Sequence, residues 1–217
     1  MRKYVTLFFV IFLFACSRSA ETPKPQAQAE MKRTVTQEQM QEAMMKVAAV
    51  GPNHRRLDPL IGNYKVDAKF WMEPNGKAEV ATGTAEFRWI LGGHYVAMDY
   101  YSSFQGQKFE GYGLYGYNNI GGQYESTWVD SMGSEIMKSV GQPDKVGSAI
   151  VFSGEFECPI MNGPMKTREI MTIGTDRHVF EMYHAAFDGS GEYKAMEIVY
   201  ERVRPVIKST KKTQKKK

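Results

Sequence analysis

The sequence predicts an all-β fold: an up-and-down antiparallel β-barrel of about ten strands, preceded by one short N-terminal α-helix. Three observations carry that expectation. From residue 62 onward apolar and polar side chains alternate with the period of two that a half-buried strand requires. The alternating runs are separated by short Gly, Asn and Asp turns that leave no room for a crossover helix, so neighbours in sequence pair antiparallel. The composition, with 12 Tyr, 12 Phe, 20 Gly and 2 Cys in 217 residues, suits a β-rich globule rather than a disulfide scaffold.

Residues 1–15 have the pattern of an export signal. Met1-Arg2-Lys3 is a short positive region, and Tyr4 to Phe14 is an apolar run of eleven residues. A bilayer core needs roughly 20 helical residues, so the run fits a secretory segment better than a membrane span. It ends in Leu13-Phe14-Ala15-Cys16, which looks like a bacterial lipobox. That resemblance implies cleavage before Cys16, lipidation of its thiol, and a membrane anchor of the palmitate-bearing kind; an ordinary signal peptide or a signal anchor is the alternative. Ser17 stands where an acidic residue would be associated with inner-membrane retention, which favours the outer membrane. With Cys16 acylated, Cys158 has no intramolecular partner and reads as a small buried hydrophobe.

Residues 16–33, rich in Ser, Pro, Gln, Ala and Glu with Pro23 and Pro25, show no apolar period and read as a flexible tether reaching roughly 20–25 Å. Residues 34–51 read as an amphipathic helix. Thr36 and Gln39 can form a capping box. Met40, Ala43, Met44, Val47 and Ala48 form one apolar stripe, and Gly51-Pro52 ends it. That stripe is expected to pack on the domain.

The domain occupies 52–207. Tyr64, Val66, Ala68 and Phe70 alternate with Lys65, Asp67 and Lys69. Nine further runs follow: 78–91, 95–104, 109–117, 123–130, 135–142, 149–158, 165–173, 177–187 and 192–203. Closing ten antiparallel strands removes their edges. About eight strands leave room for one small ligand, so ten give space for more, and Gly83, Gly111, Gly113 and Gly154 read as bends that help closure.

The charge pattern limits the partners. The net +4 averages unlike regions: Arg2, Lys3 and six lysines among the last ten positions hold eight of the 28 positive residues, leaving 20 against 24 Asp and Glu in the body. Nucleic-acid binding through a basic face loses its support. The Lys-rich tail at 208–217 carries no acid and is expected to be disordered. Either it contacts anionic lipid or wall polymer or it simply solubilises the chain. Oligomeric state is not legible.

His54-x-x-Leu57-x-x-Leu60-x-Gly62-x-Tyr64, then Leu91-Gly92-Gly93-His94-Tyr95, Phe109-x-Gly111-x-Gly113-x-x-Gly116-Tyr117-Asn118, Tyr124-x-x-x-Trp128-x-Asp130 and Met196-Glu197-Ile198-x-Tyr200-x-Arg202 together resemble the bacterial family called domain of unknown function 1579, over about residues 52–204. The resemblance implies a lipocalin-like or fatty-acid-binding-like barrel, often exported, and no particular reaction. Tyr64 stands where the family usually has Trp and is expected still to plug the barrel floor. Asn118 stands where the family often has Asp, which weakens any acid role at that turn.

Trp128 and Asp130 share a strand face with Tyr124. Turned inward, that face makes an aromatic wall with a polar end, the make-up of a small-ligand pocket. With Tyr112, Phe180, Met182 and Arg202 these are the candidate contacts for a small apolar or amphipathic ligand; the competing reading is core packing. No catalytic residue is assigned, and no cofactor or metal is expected. His178 and His184 lie about 20 Å apart along one strand, too far to share a metal. Haem on a single His, with His94 and His184 as candidates, and paired-carboxylate hydrolysis by Glu169, Glu181 and Glu197 remain as alternatives. The acids are expected to form cross-strand ion pairs on the solvated face. The leading expectation is a lipid-anchored, exported barrel in the cell envelope that binds a small molecule. A structural or interaction protein of the envelope is the second reading.

Overall fold

The computed structural model describes residues 35–204; the signal segment, Cys16 with its tether, and the Lys-rich tail lie outside the described residues. Helix α1, Gln37–Ala48, opens on the expected capping box. The Gln39 amide donates to Thr36 Oγ1 at 3.2 Å, and the Thr36 amide donates to Gln39 Oε1 at 3.1 Å, so both orphan donors are met.

Ten strands follow a short helix α2 (Pro52–Arg55): β1 (Gly62–Phe70), β2 (Glu79–Ile90), β3 (Tyr95–Phe104), β4 (Gln107–Asn118), β5 (Gln123–Asp130), β6 (Met137–Pro143), β7 (Ala149–Cys158), β8 (Gly163–Ile173), β9 (Arg177–Ala185) and β10 (Glu192–Arg202). They form a closed barrel in sequence order, with β1 paired to β10. All of its pairings are antiparallel. The hairpin turns tighten where the sequence supplies Asn-Gly and Gln-Gly: Asn162 and Gln105 take positive φ, and Gly106 continues the turn at φ 79°, a region glycine enters without a Cβ clash. One bulge interrupts β10 between Lys194 and Met196.

Alternation sorts the side chains into two faces. Tyr64, Val66 and Ala68 point inward with Ala85, Phe87, Val96, Met98, Tyr100, Ile150, Phe152, Met171 and Tyr200, and all are buried. Their rings meet edge to face, Tyr64 with Phe87 at 5.5 Å and Phe87 with Tyr200 at 5.5 Å between centroids, the arrangement favoured by the aromatic quadrupole.

One end of the barrel is closed. The segment from Gly51 to Ile61 folds across it and buries His54, Leu57 and Leu60. Tyr64 plugs this floor as its position predicts: its hydroxyl donates to the Leu60 carbonyl at 2.8 Å and meets His178 Nε2 at 2.7 Å. The Gly174 amide donates to His178 Nδ1 at 3.2 Å, so the proton of the neutral ring sits on Nε2 and is donated to Tyr64. Arg202 completes the floor, donating to the carbonyls of Ile61 at 2.6 Å and Thr175 at 3.0 Å and also to that of Pro59, with its guanidinium 4.9 Å above the Tyr64 ring.

Helix α1 departs from expectation. None of its residues is buried, and Met40, Met44, Met45 and Val47 are exposed. The barrel holds its last turn by the backbone instead. Asn119 Nδ2 lies 2.7 to 3.1 Å from the carbonyls of Lys46, Val47 and Ala49, and His94 Nε2 lies 2.9 Å from that of Ala48. These are the carbonyls a helix leaves without intrahelical partners, at its negative end.

His94 Nδ1 also faces a carbonyl, that of Leu91 at 2.6 Å, so only the doubly protonated ring satisfies both contacts. Those two bonds raise its pKa above the ordinary histidine value. The neighbouring His54 is lowered by burial, by His94 and by Arg55. A raised folded pKa makes the His94 contribution complete below the ordinary value and lost as pH rises through the raised one. Hydrogen exchange, corrected for its intrinsic pH dependence, should therefore show residues 45–50 losing protection as pH rises above about 6.5, and His94→Gln should flatten that change. Equal profiles for the two proteins would refute the latch.

His178 gives the opposite dependence. Burial, with Arg202 nearby, lowers it to about 4. Above roughly pH 6.5 it costs nothing, and as pH falls toward 4 the unfolded chain takes up a proton that the fold refuses, at about 1.4 kcal/mol per pH unit. Between pH 7 and 5 the wild type should lose about 2 kcal/mol more stability than His178→Gln in urea unfolding; equal losses would show that His178 does not limit acid stability.

Candidate functional site

The floor leaves the barrel blind at one end, so any interior site must be reached from the other. In that open half the inward side chains change character. Phe70, Phe109, Trp128, Met137, Phe156, Phe180, Met182, His184 and Met196 all face the lumen by register, yet each is only half-buried. An inward side chain in a closed barrel is wetted through the lumen. Such half-exposed inward side chains run from the mouth to Phe180, midway down β9.

Trp128 forms one wall. Its indole lies across Gly111, where an added Cβ would come within 2.2 Å of the ring. Gly111 therefore seats a ring rather than simply bending a strand. The ring stacks on Phe109 with centroids 6.5 Å apart and meets Tyr100 edge-on at 5.9 Å. Its Nε1 donates to Asp130 Oδ2 at 2.8 Å, while Asp130 Oδ1 accepts the amides of Met132 and Gly133 at 2.9 and 3.0 Å. Asp130 thus holds both the indole and the turn that follows β5.

The structure divides the seven candidate contacts. Trp128, Asp130, Phe180 and Met182 come together in the open half. Tyr124 faces inward but sits in the floor, buried, its hydroxyl donating to the Asn53 carbonyl at 3.0 Å. Arg202 is likewise spent on floor carbonyls. Tyr112 lies on the outer wall: its neighbours Gly111 and Gly113 carry the inward parity of β4, pairing with Tyr100 and Met98, so alternation turns Tyr112 to solvent. Those three are corrected to structural or outer positions.

The haem candidates also separate. His94 is on the outer side at the closed end with both nitrogens bonded, which removes it as an axial ligand; His184 stands in the mouth, its Nδ1 donating to the Ala185 carbonyl at 2.9 Å. Among the described residues no three His, Cys, Asp or Glu side chains gather as a metal site. Cys158 is buried.

The three glutamates do not meet. Glu181 and Glu197 lie outside, sharing Lys194 at 2.8 and 2.5 Å, with Lys69 3.3 Å from Glu197. Glu169 faces the lumen, 6% exposed, between Phe152 of β7 and Met182 of β9. Its Oε1 accepts from Ser139 Oγ at 2.9 Å and Thr167 Oγ1 at 2.8 Å. Burial raises its pKa against the pull of those two hydroxyls. The signal that would have found it is parity: Met165, Thr167, Glu169, Met171 and Ile173 alternate with Lys166, Arg168, Ile170 and Thr172, so Glu169 stands on the less polar face.

Two surface hollows lie outside the lumen. One of about 300 Å³, at the closed end, is lined by Val47, His94, Leu114, Asn119 and Glu125 among others. The other, about 460 Å³, lies at the rim between Trp71, Glu73 and Tyr193.

The comparisons with known proteins agree with this architecture. Among solved structures, the S-type phycobiliprotein lyase CPES from Guillardia theta is similar with a TM-score of 0.50 at 8% identity, over 75% of this chain and 97% of that one. Rv2717c from M. tuberculosis is similar with a TM-score of 0.52 at 15% identity, over 72% of this chain and all of that one. At such identities the likeness is one of fold, a lipocalin-like barrel. No curated protein matches the sequence. The model of the family described as protein of unknown function DUF1579 matches residues 49–202, most of the chain and every strand of the barrel, and the protein belongs to that family.

Proposed function

We propose that the protein binds a small amphipathic molecule in the open half of the barrel, and that it does so as an exported lipoprotein of the cell envelope. The observation that carries the first part is the ring of inward yet half-exposed side chains, Phe109, Trp128, Phe156, Phe180, Met182 and Met196. Apolar surface left wet inside a closed wall is recovered when a ligand covers it, at roughly 25 cal/mol per Å². Ligand pockets have this composition, largely apolar with a few polar groups. The second part rests on Leu13-Phe14-Ala15-Cys16 behind a short positive and apolar segment. The outer membrane is favoured by Ser17. Envelope attachment would put the barrel where amphipathic molecules are abundant.

The exposed Met44, Met45 and Val47 on α1 favour one alternative, an interaction protein whose barrel is only a scaffold. A neutral fluorescent probe, N-phenylnaphthylamine, distinguishes them. Saturable one-to-one binding with energy transfer from Trp128 is expected, and Met182→Trp should weaken it at least tenfold by filling the mouth while the melting temperature changes little. Absence of saturable binding by the wild type would sink the ligand reading.

Lipidation has its own test. Cells grown with labelled palmitate should incorporate label into the wild-type protein and none into Cys16→Ala. Equal labelling, or none in either, would refute an anchor at Cys16.

A further inference from the structure

The lumen holds a carboxyl without a countercharge. Of the Lys and Arg residues in the ten strands, Arg202 alone has inward parity, and its guanidinium is tied to three floor carbonyls. The lysines and arginines near Glu169 in sequence, Lys166 and Arg168, face outward, and Arg168 is engaged by Glu192 at 2.5 Å. Glu169 therefore sits deep in the wall with only neutral partners, Ser139 and Thr167. Gly154 makes room for the group: a Cβ there would stand 2.4 Å from Ser139 Oγ, 2.8 Å from Thr167 Oγ1 and 2.9 Å from Glu169 Oε1.

The second carboxylate oxygen faces the lumen. Glu169 Oε2 makes no hydrogen bond to a described residue, nor do the hydroxyls of Tyr115 and Tyr200, yet among the described residues no side-chain polar atom is sealed from solvent without a partner. Glu169 projects from the inward face of β8, so the free oxygen lies on the lumen side of the wall. Burial, reinforced by Glu169, raises Tyr115, and burial, reinforced by Tyr115 and Tyr100, raises Tyr200 well above the ordinary phenol value. Tyr115, Tyr200 and Glu169 are thus among the polar side chains on the inward faces of β4, β10 and β8. Asp130, half-buried nearer the rim, adds a second acid and no cation.

We propose that the ligand carries a protonated amine head that docks against Glu169 Oε2, with its apolar body in the mouth between Trp128, Phe180 and Met182. This rests on the ligand-binding reading above and narrows it. An ammonium supplies the missing countercharge and donors for the carboxylate. Its approach also moves the buried acid toward its ionised form. A carboxylate head meets the reverse situation, an acid with no lumen cation to receive it, and is excluded on charge. Other titratable groups on the inward faces are Tyr100, Tyr115 and Tyr200 deeper in the barrel, and Asp130, Cys158, His184 and Tyr193 nearer the rim; His178 lies below in the floor.

The test is a head-group series on one chain, dodecylammonium, dodecanol and dodecanoate, each below its micelle concentration. Affinities for the full chain are read by displacement of N-phenylnaphthylamine at pH 7.5. The expected order is ammonium tighter than alcohol by about tenfold or more, with dodecanoate weakest. Glu169→Gln keeps the shape and an acceptor for Ser139 and Thr167, and should remove the ammonium preference while leaving dodecanol within about twofold. Glu181→Gln, on the outer wall, should leave the preference intact, which separates lumen binding from attraction to the acidic surface. Dodecanoate binding as tightly as dodecylammonium, or a preference that survives Glu169→Gln, would overturn the assignment. Failure of all three compounds to displace the probe would also overturn it, and failure of the probe itself to bind would overturn the ligand reading beneath it.

Discussion

A ten-stranded antiparallel sheet left open would expose two unpaired edges, and here the first strand and the last supply each other's missing partner. Seven residue pairs join β1 to β10, from Tyr64 with Arg202 to Phe70 with Met196, and those pairs satisfy backbone groups that would otherwise invite other chains. The same seam assembles the floor. Tyr64 comes from β1, Arg202 from β10, and His178 from the neighbouring β9, so the hydrogen-bonded plug exists only once the barrel has closed. The plug in turn decides which end admits solvent. Closure, floor and a single mouth are one structural event.

The interior is then divided by side-chain volume. Near the floor, rings from Tyr64, Phe87, Tyr115, Phe152 and Tyr200 fill the cross-section, and buried hydroxyls find partners or face the remaining space. Toward the mouth, inward glycines interrupt the filling. Gly111 accepts the indole of Trp128 flat against the wall, and Gly154 accepts the carboxyl of Glu169. The inward side chains are buried toward the floor and half-exposed toward the mouth.

The strands were legible because two independent signals coincide, the period of two and the turn residues between runs; observed boundaries fall within a few residues of the expected ones. What the sequence does not carry is depth along a strand. Tyr124 and Arg202 have the inward parity a pocket residue needs, but only the three-dimensional closure reveals that they stand at the blind end. Tyr112 was separable by parity, since Phe109, Gly111, Gly113 and Tyr115 claim the inward face of β4; two glycines hide that alternation from a count of apolar side chains. Glu169 was obscured by a sound general rule. Glu181 and Glu197 obey it, pairing outside with Lys194, and their neighbour on β8 does not. Helix α1 shows the same limit from another side: its capping box was readable locally, whereas its attachment through Asn119 and His94 depends on turns far away in sequence.

Because β1 begins and β10 ends at the floor, the chain enters and leaves the barrel at the same end. Tension applied through the two flanking segments would load the seam in the unzipping direction, breaking the ladder one rung at a time rather than shearing all rungs together. The first rung is Tyr64 with Arg202, and Arg202 is also bonded to the carbonyls of Pro59 and Ile61, on the chain that leads into β1. The guanidinium therefore acts as a mechanical clasp at the point where peeling would start, and the mouth, at the far end, would be the last part of the barrel to feel the load.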